Sequence, residues 1–135
     1  MEYNEFDSRF KHFQVRSMMG YMRLTKLLLR LELPINMEPL TADSTPTELV
    51  ESATIARKAL QDMPMDMYLQ ATLGTALLDW MCGIALAAAA AGDDDVRWAI
   101  EGALLLTVRA SDEMDLAEDL LDGNIDLTDA PYDEE

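Results

Sequence analysis

An all-α fold is the expectation for this chain, and three features of the sequence lead to it. Half of the residues are hydrophobic but only 7% are aromatic. The core must then be built from Leu, Ala and Met, good helix formers, rather than from the β-branched and aromatic residues that favour strands. Apolar side chains recur at helical spacing over long segments. Those segments are bounded by helix start and stop signals. With 135 residues the chain has the length of one domain. Short connections between long segments predict a four-helix up-down-up-down bundle with long helices 1, 3 and 4. The bundle is expected over residues 1–123, with an acidic, mobile tail at 124–135.

The first helix is expected from about Tyr3 to Leu33, where Pro34 stops it. Phe6, Phe10, Phe13, Leu24, Leu28 and Leu31 fall on one face. Gly20 marks a bend or a close helix contact. A segment with two prolines, "PINMEPLTADS", follows. The second helix opens at "TPTE": Thr45 caps, Pro46 suits the first turn and Glu48 completes a capping box. It runs to a break near Pro64.

The third helix is expected over Met65–Ala91, ending at Gly92, and should be the most buried. Asp93, Asp94 and Asp95 then supply cap and favourable charge for the fourth helix. That helix runs from about Val96 to Asp122, with Gly123 as its stop.

Charge is the most informative feature. The formal net charge is -16, yet residues 1–33 hold six Lys/Arg against four Asp/Glu. Arg9, Arg16, Arg23 and Arg30 stand a heptad apart, which is a single file on a helix. Asp112, Asp115, Glu118, Asp119 and Asp122 form an acidic row on the fourth helix, joined by Glu101. In an up-down bundle the first and last helices are antiparallel neighbours, which brings Arg9, Lys11 and Arg16 to the acidic end of helix four. The arginine file is therefore expected as a structural ion-pair row that sets register more than stability.

Nucleic acid is a poor partner, because a phosphate-binding patch must dominate its local field and the chain's carboxylates oppose it. A protein with a basic surface is the partner this charge selects. Asp112, Asp115, Glu118, Asp119 and Asp122 are the candidate contact residues, set to cover a basic, nucleic-acid-handling groove as a decoy. Immunity proteins and phage-encoded inhibitors of defence systems share this size and charge as classes. A solvated acidic shell of the salt-adapted kind is the plainer account of the same carboxylates.

"KLLLR" and "ALLLTV" each spread three apolar residues over about 200° of helix, more than one core stripe holds. Val15, Met18, Met19 and Met22 on helix one, and Trp98, Leu105, Leu116 and Leu120 on helix four, add to this surplus. A homodimer or an obligate partner is expected to cover it. The competing functional class is a structural helical adaptor or dimeric subunit of a larger assembly.

Catalytic chemistry is sparsely provisioned. His12 is the sole histidine, with no Ser or Cys placed to pair with it. Cys82, the only cysteine, lies among apolar residues and reads as packing. No metal site, phosphate loop or cofactor is expected. "ELVE" (Glu48, Glu51) and "DLLD" (Asp119, Asp122) faintly resemble the paired-acid motifs of MazG-like nucleotide pyrophosphohydrolases, which implies a magnesium-dependent all-α enzyme as a weaker alternative. Here the two pairs stand roughly seventy positions apart, farther than in that family, and the rest of the chain carries no likeness.

Asp79 is expected to be buried with a partner such as Arg57 or a helix-one arginine. The start lacks a secretory pattern and the alanine-rich run after Asp79 is short for a span, so a cytosolic protein without membrane contact is expected.

Overall fold

A computed structural model describes residues 2–31, 35 and 37–123 of the protein. Within them the protein is all-helical, with four α-helices and no strand: α1 Tyr3–Leu29, α2 Pro46–Gln61, α3 Met67–Gly92 and α4 Ala99–Asp122. A single 3-10 turn, Asp94–Val96, joins α3 to α4. The tail expected at 124–135 lies outside the described residues.

Local signals explain three of the helix ends. Thr45 Oγ1 accepts the Glu48 N–H at 3.2 Å, and its hydroxyl lies 3.0 Å from the Glu48 carboxylate. This is a capping contact of the expected type. Asp66 caps α3 by accepting the Leu69 N–H at 2.9 Å. Gly123 closes α4 in the left-handed region at φ 75°, where the absence of a Cβ removes the steric cost. α4 begins three residues later than expected. Asp93 accepts the Asp95 N–H, which tightens the chain into the 3-10 turn first.

The direction of the helices departs from expectation. Arg9 pairs with Glu101, Arg23 with Asp115 and Arg30 with Asp122, so rising numbers on α1 meet rising numbers on α4. The two helices are parallel. α3 runs against both: Asp79 faces Arg109, Gly102 meets Leu86, Gly83 meets Phe13 and Ala103, and Gly20 meets Trp80. The Gln70 side chain near the start of α3 donates to Leu60 O at the end of α2, while Pro46 and Leu49 lie across a groove from Ile84 and Ala87. α2 is therefore antiparallel to α3. The expected up-down-up-down order is corrected: α1, α2 and α4 point one way and α3 the other.

The connection between α1 and α2 is the cause. About fifteen residues at up to roughly 3.5 Å each are long enough to return along the whole of α1. Ile35 and Met37 are buried in the core. Tyr21 Oη lies 2.6 Å from Glu38 O and 3.1 Å from Ser52 Oγ, and Ser52 Oγ accepts the Glu38 N–H at 2.7 Å. Leu40 to Ser44 then pass beside Phe10–Met18. The irregular residues 37–44 thus lie where a downward helix would have been needed.

The main core contains Tyr21, Leu24, Leu28, Leu60, Leu73, Leu77, Trp80 and Met114. Phe13, Ala87, Ile100 and Ala103 form a second cluster. A Cβ on Gly20 would stand 3.4 Å from Trp80 Cδ1 and 3.8 Å from Met114 Cε, so this glycine serves a close contact of three helices. Trp80 Nε1 donates to Ser17 O at 2.8 Å, which satisfies its buried N–H. At the lower end, the Arg97 guanidinium stands 5.6 Å from both the Tyr3 and Phe6 rings.

Candidate interaction surface

Three members of the arginine file meet α4. Arg23 Nη2 lies 2.5 Å from Asp115, and the same guanidinium holds Glu118. Arg30 reaches Asp122 at 2.6 Å, and Arg9 holds both Glu101 and Glu5. Burial of Arg23 opposes its charge, but the hydrogen bonds to Asp115 and Glu118 outweigh it and raise the guanidinium pKa. Lys11 pairs with Asp7 on its own helix. The expected approach of Arg9, Lys11 and Arg16 to the acidic end of α4 is corrected by the parallel register, which sets Arg9 against Glu101 near the start of α4. Level with Arg16 on α4 stands Val108, and Arg16 makes no ion pair among the described residues.

The acidic row divides in two. Asp115, Glu118 and Asp122 turn toward α1 and are engaged by Arg23 and Arg30. Asp112 and Asp119 are exposed and have no basic partner among the described residues. Asp93 and Asp95 at the α3–α4 turn are likewise exposed and unmatched by a cation. Within the expected contact row, only Asp112 and Asp119 are therefore free of an ion pair among the described residues.

Between α1 and α4 runs an open groove of about 610 Å³, lined by Arg16, Met19, Met22, Lys26, Val108 and Asp112 among others. Leu105 and Val108 continue it past Arg9 and His12. Met19 is 65% exposed and Leu105 66%. The apolar surplus on these two helices is thus a contiguous surface feature, which is uncommon on a monomer.

Asp79 is buried on α3, as expected, but its partner is Arg109 of α4, 3.6 Å away, and neither Arg57 nor an α1 arginine. Its Oδ2 has no hydrogen bond among the described residues. Burial raises the Asp79 pKa and the charge of Arg109 only partly offsets this. Glu113 is also raised, first by burial and then by the Asp79 charge. The signal for Arg109 was present in the chain: an antiparallel hairpin folded at Gly92–Asp95 puts positions 79 and 109 level.

Cys82 is exposed, which corrects its reading as packing. α3 buries only part of its circumference, and Cys82 lies on the uncovered side with Leu78 and Ala85. By length and composition α3 could cross a membrane, with a mean hydropathy of 1.6 over its most apolar stretch. Here it is the helix against which α1, α2 and α4 all pack. His12 is exposed in the groove wall.

Glu48 and Glu51 are exposed near the start of α2, and Asp119 and Asp122 lie near the end of α4. α3 is the principal neighbour of both helices, and the two acid pairs do not converge. The octahedral carboxylate site that the MazG-like likeness implies needs them together. Among the described residues no three His, Cys, Asp or Glu side chains gather closely enough to hold a metal ion. Set against protein-family models, curated proteins and solved structures, the chain shows no match.

Proposed function

We propose that this protein is a non-catalytic, acidic protein-binding module that covers a basic surface of a partner protein, in the manner of an inhibitor or immunity protein that blocks a nucleic-acid-handling groove. The observation that carries this reading is the arrangement of charge. Arg9, Arg23 and Arg30 are turned against α4, so three of the four arginines of the file are answered within the chain and carboxylates outnumber cations on the outward surface. Asp93, Asp95 and Asp119 are exposed parts of that surplus. A net charge of -16 steers such a surface toward basic proteins and away from polyanions.

The test is capture of partners on the immobilised protein, followed by elution with rising salt. A basic, nucleic-acid-binding protein should be released well below about 1 M salt, where the Debye length falls to roughly 3 Å. The same protein should fail to bind the D93K/D95K/D119K variant, and the wild-type protein should compete with its nucleic acid. Retention through high salt, unaffected by the variant, would overturn the proposal. That outcome would favour the second reading, a helical adaptor or assembly subunit, which draws on the exposed Met19, Met22, Leu105 and Val108.

A further inference from the structure

The α3–α4 hairpin packs against α1 with one side and leaves the other open. Trp80 and Gly83 of α3 meet α1, and so does Glu118 of α4. The open side carries a ridge on each helix. On α3 it is Ala71, Thr75, Leu78, Cys82, Ala85 and Ala89; on α4 and its cap it is Trp98, Gly102, Leu105, Arg109, Asp112 and Leu116. Leu78 and Cys82 stand about 200° round the helix from Trp80, and Arg109 about 180° from Glu118. Every residue of both ridges is exposed or half-buried, and only 44% of the most apolar stretch of α3 is buried.

Successive positions in each ridge are four and three apart in strict alternation, the spacing of helices that pack along their length. The ridges differ in size. α3 presents small side chains apart from Leu78, and α4 presents large ones apart from Gly102. Within the chain Asp79 stands level with Arg109, and Leu86 with Gly102. A two-fold axis parallel to the helices keeps every level and direction, and it lays α3 of one copy over α4 of the other. That contact is antiparallel, as the hairpin is, and its register is the one already fixed in a single chain. Ala71 then lies over the partner's Leu116, Cys82 over the partner's Leu105 and Ala89 over the partner's Trp98. Small meets large, as interdigitating helices require. Asp79 Oδ2 is buried and accepts no hydrogen bond among the described residues, and the partner's Arg109 comes level with it. An axis across the helices would instead set α3 on α3 and α4 on α4, small on small and large on large.

We propose that the open side of the α3–α4 hairpin is a self-recognition surface, closed by a second copy of this chain in an isologous dimer whose two-fold axis runs parallel to the helices. The contact is an antiparallel four-helix layer of the kind found in bundles. α3 has 26 residues, which makes the face about 39 Å long at 1.5 Å per residue, and two helices make it about 20 Å wide. That footprint is close to the roughly 800 Å² per partner found in stable complexes. The dimer does not depend on the binding of a basic partner. Two chains of charge -16 repel each other, so rising salt favours the dimer while it releases a basic partner. The two associations can therefore fail separately.

Disulfide trapping and sedimentation velocity on the full chain provide the test. Cys82, which is exposed, is first replaced by Cys82→Ser. A chain that also carries Ala71→Cys, mixed with one that carries Leu116→Cys, should form a covalent species of about twice the chain mass of 15.1 kDa. Neither chain should do so alone, because like positions lie diagonally across the layer, beyond the reach of a disulfide. The wild type should sediment as a dimer at tens of micromolar, the range of a modest interface. Ala85→Glu sets a carboxylate into the apolar ridge of both copies and should weaken the dimer at least about tenfold, with helical content by circular dichroism unchanged. Met19→Glu, on the α1–α4 side, should leave it intact. A wild type that stays monomeric at about 100 µM would overturn the proposal. So would trapping of either cysteine chain with itself in place of the mixture, a dimer that Ala85→Glu leaves as strong as before, or one that Met19→Glu abolishes.

Discussion

Arg23 and Asp115 are separated by 92 positions in the chain and by 2.5 Å in space, and Arg30 and Asp122 repeat both relationships at 92 positions and 2.6 Å. A constant offset between two helices means that they run in the same direction. This one relationship overturns the antiparallel neighbour rule for the ends of the bundle. It also creates the groove whose two walls carry opposite charge.

Arg23→Ala should cost about 1 kcal/mol, at the upper end for a surface pair, because one guanidinium holds two carboxylates. Arg16→Ala should cost less than about 0.5 kcal/mol in the monomer, where no partner is lost. Urea denaturation at low protein concentration measures both. The Arg23 effect should shrink as salt rises, and equal costs at the two positions would contradict the assignment.

Tyr21→Phe should destabilise by about 0.5–1.5 kcal/mol. The phenol has one proton, which it gives to Glu38 O along the shorter contact, leaving the Ser52 hydroxyl to supply the other bond. Removing the hydroxyl takes the donor from the partly buried Glu38 carbonyl and the acceptor from the Ser52 hydroxyl. Burial raises the Tyr21 pKa, so no ionisation should complicate the comparison near neutrality. The loss should appear in the denaturation midpoint with little change in the slope.

Gly20 gives a test of close packing. Alanine there places its Cβ at ordinary contact distance from Trp80 and Met114, while helix propensity improves by up to about 1 kcal/mol. Gly20→Ala should be neutral or stabilising. Gly20→Leu forces extra atoms between three helices and should cost about 1–3 kcal/mol. Thermal melts of the two variants should move in opposite directions or, at the least, separate clearly.

Asp79 sets a pH dependence with a definite sign. Its folded-state pKa lies above the ordinary value of 3.8 because burial disfavours the charge. The folded state therefore keeps the proton longer than the unfolded chain, and this group's contribution becomes less favourable as pH rises through the window above 3.8. Below that window the penalty is absent; above the folded pKa it is complete. Asp79→Asn should therefore raise the melting temperature at pH 7 and confer no such advantage below about pH 4. A gain that persists unchanged in acid would point to packing rather than to charge.

Much of the local structure was legible in the residues. The cap at Thr45 and the stop at Gly123 were both anticipated, and so was the buried face through Phe13, Leu24 and Leu28. These depend on interactions within a few positions of the chain or on the period of apolar residues. The arginine file was legible as an ion-pair row, although Arg16 stands outside it. The polar triangle of Tyr21, Glu38 and Ser52 was not legible, because its members come from a helix, an irregular segment and a second helix.

By itself the sequence determined the helical class, the cap at Thr45 and the stop at Gly123, the acidic balance and the presence of an apolar surplus on the first and last helices. Only the tertiary structure decided that α1 and α4 run in parallel, that Asp115, Glu118 and Asp122 are engaged while Asp112 and Asp119 remain outward, and that Arg109 answers Asp79. Hydrogen bonds within a turn and solvation of a periodic face are local, so residue order encodes them directly. Helix direction is set by contacts among residues far apart in the chain, such as the burial of Ile35 and Met37 and the bonds of Tyr21 to Glu38 and Ser52.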